Sequence, residues 1–290
     1  MEIVRSLDQM KQTARVAQNA GRLIGFVPTM GALHEGHLSL VRAAKQLCSP
    51  VIVSIFVNPA QFGPGEDLEK YPRNLERDCA MLESLGADCV FAPEAAEIYP
   101  CGFGTWVHVS GLSEKWEGRV RPGHFQGVCT VVLKLFEIVR PRFAFFGRKD
   151  AQQARILQQM VRDLNLDAEI VVCPVVREPD GLALSSRNAY LNPAERRAAT
   201  ALYRSLDAAR NKIAAGERLS AQLLDAVNSV IRAEPLAKLD YAALVDANSF
   251  EPVDFLQGDC LLLLAARFGS TRLIDNLLIE QQGPQFAIRL

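Results

Sequence analysis

Short apolar runs alternate with amphipathic stretches through the first two thirds of the chain. Residues 23–27 and 51–57 are predicted strands, and the second is a continuous, largely β-branched run typical of a strand covered on both sides. Residues 36–47 repeat apolar positions at helical spacing, with Leu38 and Val41 on one face. The chain therefore opens with strand–helix–strand units, the pattern of a parallel sheet.

The alternation continues to about residue 176 and then changes. Further helices are predicted at 67–85, 128–139 and 151–164, and further strands at 88–91, 143–146 and 169–173. Beyond Asn188 the pattern predicts helices at 193–215 and 219–233, then strands at 239–245, 261–266 and 272–278. We predict an α/β fold, a Rossmann-like doubly wound parallel sheet in residues 1–178, with a smaller C-terminal α+β domain in residues 179–290.

The net charge of the chain limits the kinds of partner that it can be expected to bind. Lys plus Arg is 32 and Asp plus Glu is 33, so the net charge is −1. A balanced chain has no bulk electrostatic attraction for nucleic acid or an anionic membrane, and neither partner is expected. Any anionic ligand must be held by a few local groups.

The cysteines and the apolar segments of the chain indicate where in the cell the protein is expected. No two of the seven cysteines form a C-x-x-C pair, and Cys129 and Cys260 lie in apolar runs, which is typical of reduced, buried thiols in a cytoplasmic protein. Residues 1–11 contain no apolar signal core. The apolar runs at 51–57 and 260–266 are far shorter than the ~20 residues of a bilayer span. We expect a cytoplasmic protein.

The strongest chemical signal is P-T-M-G-A-L-H-E-G-H at residues 28–37, between the first predicted strand and the first predicted helix. Gly31 allows close backbone approach, and Gly36 allows a tight entry into the helix. His34 and His37, three residues apart, would project from one side of the first turn. Two imidazoles at a helix N-terminus can donate hydrogen bonds to a phosphate in a transition state.

Other interpretations of this segment stay open. His-Glu-Gly-His is one residue short of the H-E-x-x-H zinc helix, while His108 and His124 form no ligand-spaced cluster with it. The two histidines could also simply cap the helix. No G-x-x-x-x-G-K-[ST] motif occurs, and Gly102-Phe-Gly104 lacks the rest of a dinucleotide fingerprint.

A second segment, F-F-G-R-K-D at residues 145–150, again follows a predicted strand. Lys149 is a mobile cation suited to phosphate. The next helix brings Gln152 and Gln153, and the amide of Gln153 can bind a hydroxyl or a carboxylate. A solvated helix turn is the alternative.

Two more polar segments follow strands. L-A-L-S-S-R-N at 182–188 combines two hydroxyls with the guanidinium of Arg187, a small anion clamp. N-P-A-Q-F at 58–62 should turn Asn58 and Gln61 toward the crevice at the carboxyl ends of the strands. Each alone could be an ordinary polar turn, but together they favour one site at one sheet edge. The chain carries no Ser/His/Asp or Cys/His signature of a nucleophilic enzyme.

Six segments, at residues 26–40, 56–64, 121–125, 146–153, 180–188 and 271–276, closely resemble the pantothenate synthetase (pantoate–β-alanine ligase) family over nearly the whole chain. The His-x-x-His pair is also similar to that of class I aminoacyl-tRNA synthetases and related nucleotidyltransferases. The resemblance implies ATP-dependent condensation of (R)-pantoate with β-alanine through a pantoyl adenylate, releasing AMP and pyrophosphate. Arg148 and Ala60 depart from the family's more usual residues.

The resemblance also implies the site residues. Those expected to contact ATP are Met30, Gly31, Ala32, Leu33, His34, Glu35, Gly36, His37, Gly147, Arg148, Lys149, Asp150, Val176, Leu184, Ser185, Ser186 and Arg187. Gln61 and Gln153 would hold pantoate, with Asn58 nearby and Gln61 also close to β-alanine.

The same resemblance makes His37 the proton donor. We hypothesise that His34, His37, Lys149 and Arg187, with Mg²⁺, neutralise the triphosphate. Protein ligands of Mg²⁺ are not identified, Asp78 and Asp150 being candidates. A homodimer is also implied.

Three other functions use the same segments. A nucleotidyltransferase would leave a nucleotide-containing product and need no β-alanine. A tRNA-charging enzyme would be expected to carry an appended basic domain, and none is visible. A non-enzymatic nucleotide sensor would bind ATP without releasing pyrophosphate.

Overall fold

A computed structural model describes residues 1–290. The chain forms two compact units, Met1–Arg148 with Gln152–Pro174, and Lys149–Ala151 with Val175–Leu290. This division follows Pro174, four residues before the expected boundary, and it assigns the Lys149 turn to the second unit. No helix is both long enough and apolar enough to cross a membrane.

The first unit is built on a six-stranded parallel sheet. Its strands are β1 (Glu2–Val4), β2 (Gly25–Thr29), β3 (Val51–Ile55), β4 (Cys89–Phe91), β5 (Phe143–Gly147) and β6 (Glu169–Cys173). They lie in the order β1-β4-β3-β2-β5-β6. From β2 the chain winds outward through β3 and β4, whereas β5 and β6 lie on the other side. The order of winding therefore reverses between β2 and β5, where parallel sheets open a ligand crevice. The predicted doubly wound sheet is confirmed.

Helices cover both faces of this sheet. They are α1 (Leu7–Asn19), α2 (Glu35–Leu47), α3 (Leu75–Ser84), α4 (Ala95–Ile98), α5 (Trp116–Val120), α6 (His124–Val139) and α7 (Ala151–Asp163). Val27 of β2 lies in the apolar cluster that contains Val41 of α2. Its neighbour Phe26, which a pleated strand turns to the opposite face, meets Phe136 of α6 edge-on, with ring centroids 6.3 Å apart.

Three details of the first unit differ from the sequence predictions. The helix predicted at 67–85 begins only at Leu75, because the Asn74 side chain caps it by accepting from the Arg77 N–H at 3.0 Å. The helix predicted at 128–139 begins earlier, at His124. Strand β1 and helices α1, α4 and α5 were not predicted, and the buried stripe of α1 is only Met10, Ala14 and Ala17.

The second unit packs helices on an antiparallel sheet, which confirms the predicted α+β domain. Its elements are α8 (Pro193–Ala198), α9 (Ala201–Ala214), α10 (Ser220–Arg232), β7 (Ala237–Asp246), β8 (Cys260–Phe268), β9 (Thr271–Gln282) and β10 (Gln285–Arg289). The strands lie in the order β10-β9-β8-β7. Leu206 and Leu223 of the helices share one apolar cluster with Leu262 and Leu277 of the sheet.

The single helix predicted at 193–215 is in fact two helices, and the final strand β10 was not predicted. The break falls where the Thr200 hydroxyl donates to the Arg197 carbonyl at 2.7 Å. The Leu202 N–H then bonds to Ala199, three residues back, at 3.1 Å. A side chain that competes for helix carbonyls, followed by a tightened turn, interrupts the helix without glycine or proline.

Six of the seven cysteines are buried and Cys101 is exposed. Burial raises the pKa of the Cys129 thiol to about 12. The buried thiols therefore behave as small apolar side chains.

Candidate active site

Residues 30–37, here called the histidine turn, join β2 to α2 at the carboxyl edge of the sheet. Gly31 and Ala32 take positive φ angles of 80° and 51°. Successive left-handed residues turn the chain sharply after the strand, and glycine makes the first of them inexpensive.

A buried carboxylate holds this turn. Asp78 of α3, 1% exposed, accepts from the Ala32 N–H at 2.8 Å and the Leu33 N–H at 2.9 Å. The Thr29 hydroxyl accepts from the Gly31 N–H at 3.2 Å and donates to the Ser54 carbonyl at 2.7 Å. Asp78, a metal-ligand candidate from the sequence, is instead a loop anchor, because both its oxygens are engaged by the backbone.

The two histidines of the turn cap α2 with their Nδ1 atoms. His34 Nδ1 accepts from the Gly36 N–H at 3.2 Å, and His37 Nδ1 accepts from the His34 N–H at 3.3 Å. The ring centroids lie 4.1 Å apart. An Nδ1 that accepts a hydrogen bond leaves Nε2 as the N–H of a neutral imidazole. Capping and anion binding are therefore compatible, since they use different nitrogens of each ring.

Residues 58–61, here called the glutamine turn, follow β3. The side chain of Asn58, the first residue of the turn, is buried. Asn58 Oδ1 accepts from the Tyr99 hydroxyl at 2.8 Å and from the Ala60 N–H at 3.3 Å. Asn58 Nδ2 donates to the Gly127 carbonyl and to Gln61 Oε1, both at 3.1 Å. All four hydrogen-bonding positions of the Asn58 amide are thus occupied.

This network fixes the orientation of the Gln61 amide. Its Oε1 is bound to Asn58, so its Nε2 points away, and Nε2 lies 2.8 Å from Met30 Sδ of the histidine turn. The structure therefore brings these two predicted segments together within the first unit.

A charged cluster supports the main chain of the glutamine turn. Arg121 pairs with Glu66 at 2.6 and 2.7 Å and donates to His124 Nε2 at 3.0 Å. Arginine can only donate, so Nδ1 of His124 carries the hydrogen and donates to the Gln61 carbonyl at 2.8 Å. Burial, aided by the charge of Arg121, lowers the pKa of His124 to about 4, and its ring is neutral at pH 7. No sequence pattern indicated this cluster beyond its place in a family-like segment.

Helix α6 passes so close to the glutamine turn that only glycine fits at position 127. A Cβ there would lie 2.1 Å from the Ala60 carbonyl oxygen and 2.7 Å from the Gln61 nitrogen. This contact and the Asn58 bond to Gly127 fix the spacing between helix and turn.

The two glutamines in the first turn of α7 differ in their surroundings. Gln152 is buried, accepting from the Glu117 N–H at 3.0 Å and donating to the carbonyls of Leu112 and Lys115 at 2.8 and 2.9 Å. Gln153 is half-buried in the first turn of the helix. Gly147 ends β5 and Arg148 beyond it is buried.

The other predicted phosphate-binding residues belong to the second unit. Lys149 Nζ lies 3.7 Å from Asp150. The Leu184 N–H donates to the Val176 carbonyl at 3.0 Å, and Ser185 Oγ accepts from the Arg187 N–H at 3.3 Å. Ser186 and Arg187 continue into a half-buried 3-10 turn, Ser186–Tyr190. Val176 and the Leu184–Arg187 segment are therefore neighbours.

No group of three or more His, Cys, Asp or Glu side chains is placed to hold a metal ion. The residues present do not form a protein cage for Mg²⁺ or for zinc.

A parallel sheet with a donor-rich H-x-G-H turn beside its switch point defines a Rossmann-like α/β protein suited to an anionic ligand. The family model described as pantoate-beta-alanine ligase matches residues 2–278. Pantothenate synthetase of Pelotomaculum thermopropionicum is 52% identical over 281 residues, covering 97% of this chain and 100% of that protein. The chain belongs to the pantoate–β-alanine ligase family, and it is a ligase.

Solved structures agree with this assignment. Pantothenate synthetase from Thermus thermophilus superposes with a TM-score of 0.91 at 47% identity, covering 96% of this chain and 99% of that one. Pantoate-beta-alanine ligase from Francisella tularensis, complexed with Beta-gamma ATP and Beta-alanine, gives 0.78 at 37% identity, with coverage of 98% and 100%.

Proposed function

We propose that this protein condenses (R)-pantoate with β-alanine at the expense of ATP, through pantoyl adenylate, releasing AMP and pyrophosphate. The observation that carries the proposal is the histidine turn, which has two imidazole Nε2–H donors at the N-terminus of α2 and whose Met30 contacts the oriented amide of Gln61. Family membership supplies the identity of the substrates.

The chemistry divides into two transfers. A pantoate carboxylate oxygen attacks the α-phosphorus of ATP, and the bond to the bridging oxygen of pyrophosphate breaks. The neutral amine of β-alanine then attacks the acyl carbon, AMP leaves, and the nitrogen loses a proton. Because neither transfer needs an enzyme nucleophile, positioning and charge stabilisation supply the rate.

The histidine turn stabilises the negative charge of the phosphates in the first transfer, the attack of pantoate on ATP. His34 and His37 donate hydrogen bonds from Nε2 to phosphate oxygens, and the bond from His37, the proton donor of the family scheme, stabilises the charge on the departing pyrophosphate without full proton transfer. Lys149 and Arg187 add positive charge. The remaining ATP contacts are those implied by the family resemblance, and the related ligase from Francisella tularensis is itself complexed with Beta-gamma ATP.

The glutamine turn handles the organic substrates. Gln61 Nε2 donates to an oxygen of pantoate, Gln153 binds the same substrate, and β-alanine lies near Gln61. Asn58 acts indirectly, because its amide is fully engaged in fixing the Gln61 amide. Tyr99 contributes through Asn58.

Three further properties belong to this proposal. The family resemblance implies a homodimeric assembly, the cysteines and the missing signal core favour a cytoplasmic location, and the use of ATP favours a requirement for Mg²⁺. The metal enters with ATP as part of the substrate, since the chain offers no cage of its own.

The test is a dropout assay with purified protein, ATP and Mg²⁺, omitting pantoate and β-alanine in turn and following AMP, ADP and pyrophosphate. Continuous AMP and pyrophosphate only with both acids present is the expected result. ADP and phosphate would mean an acyl-phosphate route. ATP binding without turnover would indicate a sensor, and a nucleotide-containing product formed without β-alanine a nucleotidyltransferase.

A further inference from the structure

Strand β9 carries two consecutive buried polar residues, Asp275 and Asn276, each 2% exposed. Successive side chains of a strand point to opposite faces. Asp275 therefore shares a face with Leu273 and Leu277, which pack in the helix-covered core. Asn276 belongs to the other face. Each needs a polar partner, because a buried group without one is costly.

Asp275 binds a guanidinium with both oxygens. Arg177 Nη1 and Nη2 lie 2.6 and 3.0 Å from the carboxylate, and Nη1 also donates to the Gly181 carbonyl at 3.0 Å. The guanidinium carbon lies 5.3 Å from the centre of the Tyr203 ring. The planar fork and the carboxylate fix each other's orientation, as a single point charge would not.

Arg177 stands at the base of a small hairpin, residues 176–184. Arg177 bridges Ala183, and the Leu184 N–H donates to the Val176 carbonyl at 3.0 Å. Ser185 follows directly. Asp275 thus holds, through Arg177, the hairpin whose two ends are assigned to ATP in the proposed function.

Asn276 holds the other ATP-binding segment of the second unit. Its Nδ2 donates to the Lys149 carbonyl at 3.0 Å. A fixed carbonyl orients the peptide plane that joins Lys149 to Asp150, and so restricts the origin of the Lys149 side chain. Consecutive residues of one strand therefore fix both the Lys149 turn and the hairpin leading to Arg187.

We propose that Asp275 and Asn276 are positioning residues for the ATP half-reaction, Asp275 through Arg177 and the hairpin, Asn276 through the main chain of Lys149. This inference rests on the proposed function for the roles of Lys149 and Arg187. Neither residue contacts the reacting atoms, so both act on geometry, to which phosphoryl transfer is sensitive.

The test compares the two half-reactions in Asn276→Ala and Asp275→Asn. Single-turnover formation of pantoyl adenylate should slow by roughly ten-fold or more, with weaker ATP binding. Aminolysis of chemically prepared pantoyl adenylate by β-alanine should fall much less. A purely structural role would lower both half-reactions in proportion to the active fraction, and that result would overturn the proposal.

Arg272→Gln is the matched control. Arg272 lies on the same strand and pairs with Asp240 at 2.6 Å, so its loss perturbs β9 away from the contacts to Lys149 and Arg177. Its half-reactions should match the wild type. If Asn276→Ala does not fold, Asn276→Asp keeps the size and replaces the donor with an acceptor.

ATP affinity measured by calorimetry separates the two proposals. Wild-type protein that binds ATP but forms no adenylate overturns the proposed function, whereas weaker ATP binding by the Asn276 variant would still support positioning. An Asn276 variant with unchanged ATP affinity and an unchanged adenylation rate overturns the positioning role.

Discussion

The histidine turn and the glutamine turn follow neighbouring strands, β2 and β3, yet they are held in different ways. The histidine turn is anchored mainly through its backbone, by the carboxylate of Asp78 and the hydroxyl of Thr29. The main chain of the glutamine turn is held as well, by the cluster of Arg121 and His124, but the Asn58 amide also fixes the reactive side chain of Gln61.

The difference in anchoring fits two different functions, stabilisation of charge during the reaction and recognition of substrate. A turn fixed by its backbone can present imidazole N–H groups to charge that grows during the reaction. A turn whose reactive amide is itself fixed presents a constant shape, which favours recognition. We therefore expect changes in the histidine turn to alter the rate of adenylation, and changes in the glutamine turn to alter substrate binding.

The largest expected effect tests this comparison directly. His37→Ala should lower kcat for adenylation by roughly 10²–10³-fold, the usual cost of losing one transition-state donor. Gln61→Ala should instead act first on KM for pantoate. Steady-state and single-turnover kinetics with varied pantoate measure both.

His108→Ala is the control, because His108 is a half-exposed histidine paired with Glu114, outside both turns. Near-normal turnover in His37→Ala would remove the catalytic assignment. An equal rise in KM for pantoate in the His37 and Gln61 variants would abolish the distinction between the turns.

The next effect concerns stability of the glutamine turn in acid. The pKa of His124 is about 4 when folded and 6.5 as a reference, so below pH 6.5 the unfolded chain binds the extra proton. The free energy of unfolding is therefore unaffected by this titration above pH 6.5. It falls by roughly 3 kcal/mol as the pH is lowered from 6.5 toward 4. Urea unfolding across this range should show it.

His124→Asn should flatten that dependence, since its amide can still donate to the Gln61 carbonyl but does not titrate. His108→Asn, at the half-exposed histidine, should keep the wild-type slope. Identical slopes in the His124 variant and the wild type would refute the assignment of this acid sensitivity to the glutamine turn.

The smallest effect concerns the anchor of the histidine turn. Asp78→Asn keeps the shape but places an amide NH₂ against a backbone N–H, which should cost about 2 kcal/mol of unfolding free energy. Adenylation should slow while pantoate affinity stays unchanged. Thermal melts and binding titrations measure the two parts, and loss of pantoate affinity would show that the turns are not independent.

The parallel sheet and the position of the histidine turn could be predicted from the sequence, because the residues that determine them are close together in the chain. The continuous apolar run at 51–57 and the glycines around His34 encode a buried strand and a tight turn within a few residues. The parallel sheet and the placement of the histidine turn followed from such local signals.

The anchors could not be predicted, because their partners are distant in sequence. Asp78 lies 45 residues from Leu33, and Arg121 lies 55 residues from Glu66. Asn58 was expected to face substrate from its position after a strand, but its burial depends on Tyr99 and Gly127. The break before Ala201 was equally hidden, since it arises from one threonine hydroxyl.

The close approach at Gly127 has a consequence for genetics. Any side chain there must push aside the main chain at Ala60 and Gln61. Even Gly127→Ala should therefore impair substrate binding by the glutamine turn. In a screen for nutritional dependence on the missing product, loss-of-function alleles should map to Gly127, a glycine in the first turn of α6 that touches no substrate. Suppressors would then arise by shortening or shifting the turn it displaces, not by restoring a lost chemical group.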